Sequence, residues 1–372
     1  MRLSICIATY NRAAFIGETL DSIIPQLGPG IEVVIVDGAS PDDTASVVAR
    51  YVERAPSIRY FREAQNSGFD GDYDKAVGYA AGEHCWLFPD DDLLAPGAVA
   101  RVLDALEGGA VDLLIVDTEV RDRTLTRTLQ RGRLALKGER RYGPEDADDL
   151  LADAGYALSF IGGVIVRKSL WAARRREPYF GSLFIHVGVI FQSAGIGLAK
   201  VLGEPLVVIR AGNAMWRPRG FEIWAVMWPS LIWNFAGYAD AAKRKVTPRE
   251  PWRSFPWLLG YRALGAYSRT EYKLYLADRV TGLSGLLPRL AAVFPGKLAN
   301  LIGVIVMALA GKGGGVVAYD LVACSRYSNP VSRLLAGFWL GDVALPATPK
   351  RDAARAEPAI TPSKDLADDQ PG

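Results

Sequence analysis

The chain opens on short apolar runs, each ending in polar residues. Residues 3–8 (LSICIA) are almost wholly apolar and rich in β-branched side chains, as expected of a strand buried on both faces of a sheet. Thr9, Tyr10, Asn11 and Arg12 then form a polar loop. Phe15, Ile16, Leu20, Ile23 and Ile24 recur at helical spacing, and Pro25 with Gly28-Pro29-Gly30 closes that helix. Residues 31–36 (IEVVIV) read as a second strand, followed by Asp37-Gly38. The next helix is capped by Asp42 or Asp43 with Thr44 and runs to Arg54. Residues 58–61 predict a third strand, 73–81 a helix, and 85–88 (CWLF) a fourth strand stopped by Pro89 and three aspartates. Residues 96–107 predict a helix and 111–116 (VDLLIV) a fifth strand.

This alternation predicts a parallel α/β sheet with right-handed crossovers. Ligands in such sheets bind outside the carboxyl ends of the strands. Thr9, Asp37, Asp90, Asp91 and Asp92 all stand at strand ends, so the pattern directs them to one crevice. Residues 121–141 turn basic and polar and read as a mobile excursion. Residues 159–166 (SFIGGVIV) and 206–210 return to strand character. Beyond Gly220 come amphipathic helices rich in Trp and Tyr, and between 243 and 333 basic residues outnumber acidic ones. From about 345 the chain has no periodicity and reads as a disordered tail.

Composition narrows the chemistry. A chain of 372 residues, 50% hydrophobic, can bury a large core, and a net charge of +2 gives no case for a nucleic-acid partner. Cys6, Cys85 and Cys324 form no CxxC pair, which excludes a zinc cluster and fits a reducing compartment. With His84 and His186 as the two histidines, a His-rich metal site is excluded; His84, ahead of a buried strand, reads as structural. The N-terminus lacks signal-peptide character, and no apolar run reaches the ~18–20 residues of a spanning helix; the nearest is 298–310. A place on the cytoplasmic side is expected.

Three adjacent carboxylates after a buried strand repel one another unless something offsets the repulsion. A divalent cation does so, since Mg²⁺ and Mn²⁺ favour oxygen ligands and are held by one or two carboxylates plus substrate phosphates. A solvated acidic turn before the next helix is the bland alternative. Asp37 can accept hydrogen bonds from a base or ribose, or simply close an Asp-Gly turn. In residues 66–72 (NSGFDGD), glycines permit close backbone approach, and Asn66 and Asp70 can hold sugar or ribose hydroxyls. Lys75 faces phosphate or solvent. In residues 211–217 (AGNAMWR), Asn213, Trp216 and Arg217, with Arg219 beyond, suit an acceptor: Trp stacks on sugar rings and Arg meets a pyrophosphate. Trp224, Trp228 and Trp233 serve that role or ordinary packing.

Taken in order, SICIATYNRAAFIGETLDSI, VVIVDGASPDDT, N-S-G and AAGEHCWLFPDDDLL resemble the successive motifs of family 2 glycosyltransferases with the GT-A fold. GFDGDYDKAV, SFIGGVIVRKSLW and AGNAMWRPRGFEIW are most similar to abequosyltransferase-like members, which build O-antigen and other surface polysaccharides. The resemblance is strong over residues 3–118 and thins to about 224. It implies a mostly parallel Rossmann-like sheet flanked by helices, with a C-terminal amphipathic helical region. Residues 1–120 would bind the nucleotide sugar, 121–220 the acceptor, and 345–372 would be the tail; the basic, aromatic helices of 221–344 suit a membrane surface, and a soluble helical subdomain or an oligomer interface explains the same apolar faces.

The resemblance also implies roles. Thr9, Asn11 and Arg12 look like the nucleotide-contacting loop, and Asp37 like the aspartate that recognises a pyrimidine. Asp91 and Asp92 are similar to the DXD-type pair, with Asp92 the metal ligand for Mn²⁺ or Mg²⁺ and Asp90 or Asp91 nearer the donor's ribose and sugar. Members commonly carry aspartate where Pro89 stands here. Many also carry a Glu-Asp pair on a later helix whose second acid is the general base. Here His186 falls at that place: a histidine with an ordinary pKa near 6.5 suits base work at neutral pH, could also complete a metal shell, or sits as a core or supporting histidine amid its apolar neighbours. The expected reaction is inverting transfer from a nucleotide sugar to an oligosaccharide acceptor, lipid-linked by analogy, at the inner face of the cytoplasmic membrane. A sugar nucleotidyltransferase would want a Gly-rich, Arg/Lys-bearing loop in place of TYNR. An inactive membrane-bound scaffold would keep the fold without turnover.

Overall fold

The computed structural model describes residues 2–107, 110–280 and 282–341. One ten-stranded sheet organises the first 210 residues. Its strands are β1 (Leu3–Thr9), β2 (Ile31–Asp37), β3 (Ile58–Arg62), β4 (His84–Phe88), β5 (Leu93–Leu94), β6 (Val111–Arg121), β7 (Thr128–Gln130), β8 (Glu139–Tyr142), β9 (Val164–Arg167) and β10 (Leu198–Arg210). They lie in the order β3-β2-β1-β4-β9-β6-β10-β5, with β7 paired to β6 and β8 to β10. Between and after them come α1 (Ile16–Ile23), α2 (Thr44–Arg54), α3 (Gly68–Tyr79), α4 (Ala98–Leu106), α5 (Ala147–Ala154), α6 (Lys168–Ala173) and α7 (Ile185–Phe191).

Alternation along each strand builds a core on both sheet faces, because successive side chains point opposite ways. In β4, Trp86 and Phe88 join Ile5, Ile7, Ile35 and Leu20 on one side. Cys85 and Leu87 join Cys6, Val34, Val36 and Tyr73 on the other. Such two-faced burial explains why these strands read as continuous apolar runs.

The sheet is mixed where the sequence predicts a parallel one. β3, β2, β1 and β4 are parallel, as are β6 and β10, but β9 lies antiparallel between β4 and β6. Local pattern cannot reveal this, since a strand buried on both faces has the same composition in either direction. Residues 121–141 are likewise no loose excursion: they hold the end of β6, then β7 and β8, and Asp117 Oδ1 accepts the backbone N–H groups of Arg133 and Leu134 at 2.7 and 2.9 Å. β10 starts eight residues before the predicted strand, its pattern masked by Gly203 and Pro205, where its register against β6 shifts. Within 159–166 only Val164–Arg167 becomes strand; the stretch before it makes two tight helical turns. Because β6 runs through residue 121 and β9 and β10 complete its sheet, residues 1–120 and 121–220 share one core.

The rest is helical: α8 (Gly220–Glu222), α9 (Trp228–Trp233), α10 (Asp240–Val246), α11 (Phe255–Leu264), α12 (Arg269–Glu271), α13 (Leu286–Val293), α14 (Gly296–Leu309), α15 (Val316–Ala323) and α16 (Pro330–Leu340). α9 and α10 pack Trp228, Ile232 and Val246 into the sheet's core, while the later helices build two further apolar clusters, one around Val304, Tyr319 and Leu321 that also takes in Val120 and Leu129 of the sheet, the other around Phe221, Trp252 and Leu276. No single described helix is long and apolar enough to cross a membrane. The tail predicted at 345–372 lies outside the described residues.

Candidate active site

The parallel register of β1 and β2 sets Thr9 beside Asp37 at the carboxyl edge of the sheet. Two residues beyond each strand the backbone turns left-handed, at Asn11 (φ 58°) and Ala39 (φ 62°). Such strain in residues other than glycine persists only where surrounding bonds impose it. Here they do: Asn11 N–H donates to Ser40 Oγ at 2.9 Å, Arg12 N–H to Thr44 Oγ1 at 2.9 Å, and Ala13 N–H to Asp42 Oδ2 at 3.0 Å. The loops after β1 and β2 are therefore bolted together, which fixes the origin of the Arg12 side chain.

Asp37 is wholly buried. One oxygen accepts Ser40 N–H at 2.7 Å and the other Tyr60 O–H at 2.6 Å. Gly38 brings in the loop before α3: a Cβ there would stand 2.5 Å from Asp72 Oδ2 and 3.2 Å from Asn66 Oδ1. Asn66 Oδ1 accepts Gly68 N–H at 2.7 Å and shapes that turn. Thr9, Asn11, Arg12, Asp37 and Asn66 thus line one edge.

The acidic cluster is deeper. Asp90 and Asp92 are buried, and Arg12 reaches across from the β1 loop, its Nε 3.4 Å from Asp90 Oδ1 and its Nη2 3.2 Å from Asp91 Oδ2. The two-residue strand β5 pairs antiparallel with β10, Leu94 against Val207 and Leu93 against Val208. That pairing lays residues 210–213 over the aspartates. Arg210 N–H donates to Asp92 Oδ1 at 2.7 Å, Arg210 Nε to the Asp91 carbonyl at 3.1 Å, and Asn213 Nδ2 to Asp91 Oδ2 at 2.9 Å. The Arg210 guanidinium also pairs with Glu18 of α1, and Phe15 lies beneath both Arg12 and Arg210. Sequence reasoning missed Arg210 and Glu18. A cation ending a strand was the available signal for the first; Glu18 gave none.

Burial raises the proton affinity of all three carboxyls. Asp90 is pushed up to about 7, with Arg12 opposing and Asp91 adding. Asp91 is raised by burial against Arg12 and Arg210, and Asp92 is raised strongly by burial and by Asp91. Arg12 and Arg210 together do not offset the burial of three carboxyls, so the cluster favours a further cation or bound protons. Among the described residues no three acidic, histidine or cysteine side chains converge as a ready metal cage. An oxygen-only set of one or two carboxylates with unspent charge nevertheless fits Mg²⁺ or Mn²⁺, which draw their remaining ligands from phosphate and water.

A pH dependence follows. The folded-state pKa of Asp90 lies above its ordinary 3.8, so the stabilising proton is fully bound below about pH 4 and lost as pH rises through about 7. The metal-free chain should melt at progressively lower temperature over that interval, and Mn²⁺ should raise the melting temperature more at about pH 7.5 than at about pH 5. Differential scanning calorimetry checks both; a flat profile contradicts the charge balance described.

Other expected residues sit elsewhere. Both oxygens of Asp70 are turned away from Asn66 into the segment before α7, accepting Leu183 N–H at 2.8 Å and Ile185 N–H at 3.0 Å. Burial pushes its carboxyl up to about 6. As arranged, Asp70 anchors α7 and offers no free oxygen to a nucleotide sugar. His186, expected as a base poised near neutral pH, is 1% exposed in α7 with Nε2 2.7 Å from the Leu158 carbonyl. Burial lowers its pKa to about 4, which makes it a weak, shielded base. His186→Gln should therefore keep turnover within a few-fold and chiefly lower the melting temperature; a kcat loss beyond about a hundredfold would restore it as the base.

Trp216 is exposed and begins an aromatic chain through Trp224 and Phe184 to Trp228, with ring centroids 5.7, 5.6 and 4.7 Å apart. Arg217 instead pairs with Asp320 of α15 at 2.8 Å and ties this loop to the C-terminal helices. Lys75 pairs with Glu63 at 2.7 Å, and His84 Nε2 lies 2.7 Å from the Val111 carbonyl inside the sheet.

A sheet of this order with an acidic crevice at its carboxyl edge has the architecture of GT-A sugar transferases. Residues 4–161 match the family Glycosyl transferase family 2, and this part of the chain is a domain of that family. An abequosyltransferase of Salmonella typhimurium is 26% identical over 75% of this chain and 88% of its own length. A GalNAc(5)-diNAcBac-PP-undecaprenol beta-1,3-glucosyltransferase of Campylobacter jejuni is 29% identical over 29% of this chain and 35% of its own. The solved structure of residues 1–349 of Staphylococcus aureus TarS superposes with a TM-score of 0.50 at 17% identity, covering 86% of this chain and 90% of that one, which is a likeness of fold.

Proposed function

We propose that this crevice binds a nucleotide-sugar donor and transfers its sugar, with inversion, to a hydroxyl of a lipid-linked oligosaccharide during assembly of a bacterial surface polysaccharide. The observation that carries this reading is the buried Asp90-Asp91-Asp92 cluster at the end of β4, met by Arg12 from the β1 loop and Asn213 from the β10 loop. The family match of residues 4–161 and the Salmonella relative support sugar transfer, and the name of the Campylobacter relative is the ground for a lipid-linked acceptor.

Asp92, with Asp91 beside it, would hold Mn²⁺ or Mg²⁺, which supplies Lewis-acid stabilisation to the departing diphosphate. The chain's own groups do the rest. The Asn11 and Ser40 turns present backbone and Arg12 to the nucleotide edge, and Arg12 opposes the burial that raises the proton affinity of Asp90 and Asp91. Asn213 orients Asp91, and Trp216 offers an open ring face to an acceptor sugar. The acceptor oxygen forms its bond to the anomeric carbon as the bond to the diphosphate breaks, and its proton passes to a base outside the residues named here.

Incubation with Mn²⁺ and a panel of UDP-, GDP-, CDP- and dTDP-sugars tests this reading. Transfer or slow donor hydrolysis is expected. Pyrophosphate exchange would point to a nucleotidyltransferase, and no reaction with any donor to an inactive scaffold.

A further inference from the structure

Three C-terminal helices turn apolar stripes outward. On α13 these are Leu286, Leu287, Leu290 and Val293; on α14, Leu298, Ile302, Ile305, Val306 and Leu309; on α16, Val331, Leu334 and Phe338. Each set recurs at helical spacing, so each helix presents one apolar side to solvent, with Leu309 85%, Phe338 78% and Leu334 71% exposed. Soluble monomers rarely expose contiguous apolar patches above a few hundred Å² without a partner. α13 and α14 meet at a 94° bend, so the stripes do not cover one another.

Charge selects the partner. Between residues 282 and 341 the cations are Arg289, Lys297, Lys312, Arg326 and Arg333, and the one acid, Asp320, is paired with Arg217. At the end of α13 an open pocket of about 590 Å³ is lined by Arg262, Ser268, Arg269, Arg326 and Tyr327 together with Val293. Arg262 is held there by the Phe294 carbonyl at 2.7 Å and the Tyr327 hydroxyl at 2.7 Å. Arg269 and Arg326 are exposed, without an acidic partner among the described residues. A protein partner would need matching acidic and apolar surfaces, whereas an anionic bilayer supplies both at the required depth.

We propose that α13, α14 and α16 lie in the interface of an anionic phospholipid bilayer, apolar stripes toward the acyl chains, with a lipid headgroup phosphate seated between Arg269 and Arg326. The sheet's crevice would then be held beside the membrane through the Arg217–Asp320 link. This inference does not depend on the chemistry assigned to the crevice.

The test is flotation of the full chain with vesicles of phosphatidylcholine alone or doped with phosphatidylglycerol, in the absence of any donor. Association with the anionic vesicles is expected, weakening with salt. Leu334→Glu with Phe338→Glu should reduce it by on the order of a hundredfold. Arg269→Gln with Arg326→Gln should reduce it by roughly tenfold to thirtyfold on anionic vesicles and leave binding to neutral ones unchanged. Hydrogen exchange on the unaltered chain provides a second readout: amides of α13, α14 and α16 should gain protection when anionic vesicles are added. Absence of flotation, flotation indifferent to both pairs of substitutions, or a soluble dimer dissociated by Leu334→Glu with Phe338→Glu would each overturn the proposal, the last in favour of a second copy of the chain.

Discussion

Asp92→Asn should lower sugar transfer by on the order of a thousandfold while the chain keeps its fold. The amide oxygen still accepts the Arg210 N–H that Asp92 Oδ1 takes at 2.7 Å, so that backbone donor keeps its partner. What disappears is a negative charge in a site where burial already strains three carboxyls. The melting temperature should therefore hold or rise, and the stabilisation conferred by Mn²⁺ should vanish. Activity near that of the unaltered chain would remove Asp92 from the chemistry. Asp92→Ala is the poorer test, because it leaves the Arg210 N–H unsatisfied at a cost of about 1–3 kcal/mol.

Arg12→Met should be the most damaging single change to stability in the crevice. It removes the cation that lies 3.4 Å from Asp90 and 3.2 Å from Asp91, all three side chains being largely buried. Breaking a buried pair from one side costs about 3–5 kcal/mol, mostly as the penalty on the charge left behind. Arg12 is also what restrains the rise in the Asp90 pKa, so without it the folded state binds that proton still more tightly. The destabilisation should then be slight below about pH 4, where the carboxyl is protonated in both folded and unfolded chains, and grow towards neutrality. Melting curves against pH measure this, with Arg12→Lys as the variant that restores charge without the forked geometry. A loss of stability independent of pH would show that Arg12 acts through packing alone.

Much of the crevice was legible because parallel strands buried on both faces announce themselves as unbroken apolar runs, and the polar residue ending each run falls at the carboxyl edge. Thr9, Asp37 and Asp90–Asp92 were placed this way. What escaped depended on pairing between distant segments. Nothing local to residues 93–94 or 207–208 says that they pair, yet this short ladder swings Arg210 and Asn213 over the aspartates. The direction of β9 escaped for the same reason. Asp70 misled because an acid in a Gly-rich loop looks available, while its oxygens are taken by N–H groups more than a hundred residues away. For His186 the sequence left base and core roles open, because its apolar neighbours are visible locally while the full burial that lowers its pKa needs the third dimension.

The central claim is that the crevice holds a diphosphate through a cation bound by the aspartates. Titration calorimetry of the unaltered chain with UDP, GDP, CDP and dTDP, each with and without Mn²⁺, addresses it most directly. One nucleoside diphosphate should bind in the presence of Mn²⁺ and lose most of its affinity without it. Failure of all four to bind under either condition, or binding indifferent to the metal, would contradict the account.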